Sequence, residues 1–293
     1  MNLFDEALKA LMNEKLDKLE KEFEADVVFF FGEIQPSVVR PLRDLIEDLK
    51  KPQVPIKPEQ TRLVIILNTP GGSAETVEKL VDIIRHHYTD VSFVVPDFAM
   101  SAGTIFCTSG NRIYMDYSSS LGPIDPQVWN GKQWVPARGY LDKVEEMFQK
   151  AANGTLSNAE FLILQNQDLA MLSRYEQAQN LTVTLLKKWL VEYKWKDWTT
   201  HQTTPSLIGQ PVTTEQKMAR AEEVAKQLGD NQYWHSRGRM IGIEILRTFL
   251  KLKIEDYSDD VKLQPIIRSY NDLITEWIAK NGYQVFVHTR LFF

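Results

Sequence analysis

One cysteine, Cys107, in 293 residues excludes an internal disulfide and any zinc site built from several thiolates. No apolar run approaches the ~20 residues of a membrane-spanning helix; Val27–Phe31 and Leu63–Leu67 are strand-sized. Basic excess is lacking as well. The 34 Lys and Arg stand against 39 Asp and Glu, a net charge of −5. Nucleic-acid binding needs a concentrated cationic face, so this balance argues against it. The sequence has no internal repeat, no low-complexity tract and no phosphate-cradling Walker loop. Its first residues, Met1-Asn-Leu-Phe-Asp-Glu-Ala-Leu-Lys9, are charged and lack the apolar region of a signal peptide. The expectation is a cytoplasmic protein without a membrane span.

What is present is a globular composition, 43% hydrophobic and 25% charged, in a chain long enough to bury a substantial core. Leu3, Ala7, Leu8, Leu11, Leu16 and Leu19 recur near helical spacing and predict an amphipathic helix within residues 1–25. Strands are predicted at Val27–Phe31, Leu63–Leu67, Val91–Val95 and Arg112–Met115. Helices are predicted at Pro36–Leu49, Glu75–His86 and Ser101–Thr108, with a proline-marked loop at Lys51–Gln60. This alternation implies an α/β core over residues 26–135, its largely parallel sheet flanked by helices. Residues 136–293 read as a mainly helical extension: helix from Tyr140 to Leu190 interrupted at Asn153-Gly154, helix 214–228, a last helical region after Trp234, and a terminal strand in Val285–Phe293.

Two segments carry chemistry. Leu63-Val-Ile-Ile-Leu-Asn-Thr-Pro-Gly-Gly-Ser73 runs from a strand into a turn whose Gly71 and Gly72 amides no side chain shields. Val91–Thr104 does the same and presents Ser101, followed by Ala102 and Gly103, at a helix N-terminus. A hydroxyl nucleophile beside bare backbone donors is what acyl transfer requires, because the tetrahedral oxyanion must meet preorganised N–H groups. Taken singly, Pro70-Gly-Gly72 is an ordinary turn and Ser101 an ordinary helix N-cap.

With Leu121-Gly-Pro-Ile-Asp-Pro-Gln127, Pro211-Val-Thr213, Trp234-His-Ser-Arg-Gly-Arg239 and Leu252-Lys-Ile-Glu-Asp256 following in order, the chain resembles the Clp protease/crotonase superfamily. More narrowly it resembles the serine dehydrogenase proteinase family, related to signal-peptide peptidases. The resemblance implies a serine peptidase with a Clp/crotonase-like core. Ser101 would be the nucleophile, and Gly71 or Gly72 together with Ala102 the oxyanion hole. Asp125 and His235 would complete a Ser, Asp, His set. The family pattern is similar to Trp-His-Ser-His-Gly-Arg, and this chain carries Arg237 at the second His. Lys143 is the rival base, since Ser–Lys dyads occur among signal-peptide peptidases; its neighbours Asp142, Glu145 and Glu146 read instead as the solvated face of a helix.

The resemblance further implies a peptide or protein substrate, a homo-oligomer, no cofactor and no metal; any ATP-driven unfolding would come from a separate ATPase partner. Two other readings stand beside the peptidase. One is an impaired pseudoprotease that keeps a peptide-binding or scaffold role. The other is a crotonase-like acyl-CoA enzyme, which uses the same oxyanion architecture without a serine nucleophile. His86-His87, His201, His288 and the tryptophans at 189, 195 and 198 read as structural, and Cys107 as a small core residue.

Overall fold

Long apolar strands flanked by amphipathic helices have one good way to hide both strand faces, and the computed structural model adopts it. It describes residues 3–51, 60–129, 134–202, 205–236 and 238–291. The order begins α1 (Leu3–Phe23), β1 (Asp26–Gly32), α2 (Val39–Lys50), β2 (Arg62–Asn68), α3 (Ala74–His87), β3 (Asp90–Val95). Next come β4 (Phe98–Ala99), α4 (Ala102–Thr108), β5 (Arg112–Met115), β6 (Ser120–Leu121), β7 (Gln127–Trp129) and β8 (Trp134–Pro136). The helical stretch is α5 (Ala137–Ala152), α6 (Asn158–Gln165) and α7 (Leu169–Trp189), which runs into a π-turn at Leu190–Lys194. The chain continues through α8 (Thr214–Leu228), α9 (Asn231–Trp234), α10 (Ile243–Thr248), β9 (Glu255–Asp256), α11 (Leu263–Asn281) and β10 (Val285–His288).

The main sheet has six strands in the order β10-β1-β2-β3-β5-β9. All neighbours are parallel except β10, which runs antiparallel to β1. Successive residues face opposite sides of a sheet, so a strand covered on both faces must be apolar at every position. In β2, Leu63, Ile65 and Leu67 point into one core cluster with helices α3, α4, α7 and α8, while Val64 and Ile66 point into another with α1 and α11. The fold is therefore three-layered α/β, with a mostly parallel sheet in the middle. A small third cluster, Ala137, Val144, Leu172 and Tyr175, joins α5 to α7.

The sequence reading of one helix from Tyr140 to Leu190 with one interruption is refined by a second break. Ser157 and Glu160 form a reciprocal cap at the start of α6, and the Asp168 carboxylate accepts from the Ala170 and Met171 amides to start α7. Two strands of the main sheet, β9 and β10, come from beyond residue 250. The proline-marked loop at 51–60 lies almost wholly outside the described residues. No helix among the described residues is long and apolar enough to cross a membrane.

A second, smaller layer of backbone pairing forms beyond the carboxyl ends of the parallel strands. It consists of the bridges Ile34 to Gly72 and Thr69 to Ala99, the β4–β6 pair, and Leu121 to Ile241. Ligand sites of parallel α/β sheets lie at this end, where loops leave the strands. The Gly71 and Ser101 turns lie there too.

Candidate active site

The Gly71 and Ser101 turns meet because β2 and β3 are adjacent and in parallel register, with Ile66 opposite Val94. After β2 the chain passes Thr69, whose amide donates to Phe98 O (3.0 Å) and whose carbonyl accepts from Met100 N–H (2.9 Å). Gly71 then packs directly on the neighbouring turn. A Cβ placed on it would lie 2.8 Å from Met100 O, 3.0 Å from Ser101 Cβ and 3.4 Å from Ala102 N. Its φ of +108° is one that side-chain-bearing residues rarely adopt. Gly72 is constrained from the opposite direction, since a Cβ there would lie 2.1 Å from Ile34 O.

Ser101 occupies the N-cap position of α4, at φ 52° and ψ −113°, yet its side chain makes no capping hydrogen bond. The hydroxyl, partly exposed, has no hydrogen-bond partner among the described residues. A non-glycine residue held at such φ and ψ costs of order 1–3 kcal/mol, which the surrounding packing must offset. That packing is visible: Gly103 N–H donates to Met100 O (2.8 Å), Ile105 N–H to Ser101 O (3.2 Å), and all of Ala102–Thr108 is buried.

The two turns carry three amides next to or near the serine in the fold, those of Gly71, Gly72 and Ala102. Gly71 N–H donates to Thr69 Oγ1 at 3.0 Å. The Gly72 and Ala102 amides make no hydrogen bond within the described residues. Two backbone donors thus stand open beside an uncapped hydroxyl, at the N-terminal end of a helix where negative charge is favoured.

A polar ring that runs from the buried Asn68 and Asn271 out to the exposed Asp97 ties together the strand ends that lead into both turns. Asn68 Nδ2 donates to Asn271 Oδ1 (2.7 Å), Asn271 Nδ2 donates to Asp97 Oδ2 (2.9 Å), and Asp97 N–H donates to Asn68 Oδ1 (3.2 Å). Asn68 and Asn271 are buried. Asn68 belongs to the glycine-turn motif, but Asp97 and Asn271 escaped the sequence reading. Neither carries a local signal, because the ring closes only when α11 docks.

The other expected residues come from later segments of the chain. Asp125 is buried, and its Oδ1 accepts from the Arg138 amide (3.1 Å) in the first turn of α5. Its segment is anchored to α4 by the Thr104 hydroxyl, which lies 2.8 Å from Gly122 O and accepts from Gly122 N–H at 3.0 Å. His235 is exposed, at φ 59°, directly after α9. The preceding Trp234 is fixed by its Nε1–H donating to Gln227 O (2.7 Å) and by edge packing on Phe249. No hydrogen bond joins His235 to Ser101; Arg237 lies outside the described residues. Lys143 is exposed on α5 and ion-paired with Glu146 at 2.6 Å. Cys107 is fully buried in α4, and burial pushes its thiol well above the ordinary range.

Among curated proteins, the chain is 31% identical over 140 residues to uncharacterized protein MJ0137 of Methanocaldococcus jannaschii, covering 48% of this chain and 45% of that protein. It is 29% identical over 101 residues to uncharacterized protein MJ1495 of the same organism, covering 34% of this chain and 33% of that one. The chain therefore spans less than half the length of either relative. Two solved structures of the 1510-N membrane-bound stomatin-specific protease, both of mutants and one in complex with a substrate peptide, each align with 43% of the chain. The alignments cover 63% and 59% of those chains at 19% and 20% identity, with a TM-score of 0.32 in both. Residues 46–233, which hold both turns, α4 and the Asp125 segment, match one family throughout, and the chain belongs to the ClpP-like SDH-type serine proteinases.

Proposed function

We propose that this protein is a serine peptidase in which the Ser101 hydroxyl attacks the carbonyl carbon of a peptide bond. The observation that carries the reading is the conformation of Ser101: strained, uncapped, and packed against the glycine turn with open amides at Gly72 and Ala102. The serine proton passes to a base while the carbonyl oxygen, now negative, is held by those amides. The C–N bond then breaks, and the amine leaves with that proton. Water, deprotonated by the same base, hydrolyses the ester and regenerates the hydroxyl. Gly71 completes this arrangement by its close packing rather than by its amide, which the Thr69 hydroxyl occupies.

We assign the base to His235. Its exposed ring has no hydrogen-bond partner among the described residues, whereas Lys143 is committed to its ion pair with Glu146. Asp125 is assigned to orient that base, and its seat at the start of α5 suits a carboxylate, since helix N-termini favour negative charge. Ligand-free geometry in such sites is often looser than in the substrate complex.

The homo-oligomer that the family resemblance implies has a candidate surface on α6. That helix buries none of its residues and exposes Phe161, Leu162 and Ile163, which together wrap much of its circumference. The acidic Glu160 and Asp168 beside it disfavour an anionic lipid surface, so we assign the face to a second copy of the chain.

The test is labelling with a fluorophosphonate probe. Ser101 should be modified in the native protein, the Ser101→Ala variant should stay unlabelled, and His235→Ala should slow labelling far more than Lys143→Ala. A second reading, a pseudoprotease, draws on the absence of a hydrogen bond between Ser101 and either candidate base. An unlabelled native protein that still binds peptides would establish it instead.

A further inference from the structure

Thr69 is buried without any exposed surface, one residue beyond β2, and every polar group it has is turned toward the site. Its main chain pairs with Phe98 and Met100, the residues that lead into Ser101. Its hydroxyl closes on Gly71 from both sides: Oγ1 accepts from Gly71 N–H at 3.0 Å and lies 3.3 Å from Gly71 O, to which it donates. Its methyl meets α4, because a Cβ on Gly103 would lie only 2.4 Å from Thr69 Cγ2. One side chain therefore touches both turns of the candidate site. The methyl sets how closely α4 approaches, and the hydroxyl sets how the Gly71 peptide is turned.

We propose that Thr69 is a positioning residue for the Ser101 reaction: its hydroxyl fixes the Gly71 peptide so that the adjacent Gly72 amide stays aimed at the developing oxyanion. This rests on the peptidase reading given above. The reason the hydroxyl is needed is conformational. Gly71 and Gly72 sit at φ +108° and +148°, and glycine without a restraint wanders widely over such values. The two bonds from Thr69 supply that restraint on one side, in the manner of a hydroxyl turn spanning two residues, and Ile34 N–H, which donates to Gly71 O at 2.8 Å, supplies it on the other. The methyl, packed at Gly103, fills the space between this turn and α4. Gly71 N–H is thereby a structural group, and Gly72 and Ala102 are the donors left for the substrate.

The test compares Thr69→Val, which keeps the shape and removes the hydroxyl, with Thr69→Ser, which keeps the hydroxyl and removes the methyl. Fluorophosphonate labelling of Ser101 is followed over a range of probe concentrations, well below each variant's unfolding temperature. Thr69→Val should lower the maximal labelling rate on the order of 10-fold to 100-fold, as a slight misplacement of a catalytic group does. The probe concentration for half-maximal rate should change little. Thr69→Ser should label at close to the native rate although its melting temperature falls. Thr69→Ala serves as the companion hydroxyl deletion in case valine does not fold, and must show the same deficit.

Loss of Gly71 amide protection from hydrogen exchange in the hydroxyl-free variants supports the same conclusion. Native-like or faster labelling of Thr69→Val would overturn the inference while leaving the peptidase reading intact; faster labelling would mean that Gly71 N–H is itself a donor held back by Thr69. A native protein that fails to label overturns the peptidase reading, and this inference falls with it.

Discussion

The side-chain amide of Asn271 accepts a 2.7 Å hydrogen bond from Asn68, a residue 203 positions earlier. It also donates to Asp97, so one residue of α11 underpins the strand ends that lead into both turns. Replacing it with alanine leaves the buried Asn68 amide short of a partner, at a cost of about 1–3 kcal/mol, and takes a donor from the exposed Asp97 carboxylate. Asn271→Ala should therefore lower the urea midpoint and slow Ser101 labelling at temperatures where it remains folded. Unchanged labelling would show that the ring supports the fold alone.

Ser101→Gly is expected to stabilise the protein. Glycine tolerates the φ of 52°, so removal of backbone strain should exceed its greater unfolded-state entropy by about 1 kcal/mol. Ser101→Ala, which keeps the strained backbone and loses no capping bond, should unfold near the native midpoint. Equal midpoints for the glycine and alanine variants would indicate that the turn is not strained.

His288 should make stability depend on pH. The ring is fully buried, with Nδ1 2.8 Å from the Tyr270 hydroxyl and Nε2 2.9 Å from Asn13 Oδ1. Both contacts suit a neutral imidazole that accepts at Nδ1 and donates at Nε2. Burial lowers its pKa from 6.5 to about 4. The unfolded chain thus takes up a proton before the folded one does, and stability present above pH 6.5 is lost as pH falls toward 4. The full loss from this group is on the order of 3 kcal/mol. Buried Glu20, raised by desolvation despite Arg290, works in the opposite sense as it gains a proton. His288→Asn should flatten the native curve of unfolding free energy against pH between 6.5 and 4; parallel curves would refute the assignment.

Phe161→Asp and Ile163→Asp test the α6 face. Light scattering should give a mass of at least two chains for the native protein and a smaller one for each variant, with circular dichroism unchanged. A native monomer at micromolar concentration would exclude the proposed assembly.

Much of the architecture was legible because it is written in local pattern. Val27–Phe31 and Leu63–Leu67 are apolar at every position, and Val91–Val95 at all but the buried Ser92, as suits strands covered on both faces. Helix 214–228 appears at its expected bounds, with Thr213 and Gln216 capping each other at its start. The pairing of the glycine turn with Ser101 was equally open to reading, since both follow strands that parallel topology sets side by side. What stayed hidden depends on distant partners. Glu255-Asp256 has no strand-like composition and pairs only because Tyr114 and Met115 present an edge. The Thr69 hydroxyl was the accessible omission, for its two-residue spacing to Gly71 is a known turn pattern.

The antiparallel partner of β1 carries one more implication. Phe29–Gly32 pair with Val285–His288, and just beyond, Arg290 bonds both Glu20 and Asp26, some 270 and 264 residues away. A ribosome releases the first strand long before its neighbour is made, so one side of the nascent sheet must wait with bare amide and carbonyl edges. Such edges invite adhesion between unfinished chains. Completion of the sheet on that side thus waits until residues 285–290 have been made, and clipping that segment should yield clumping polypeptide rather than a slightly smaller folded protein.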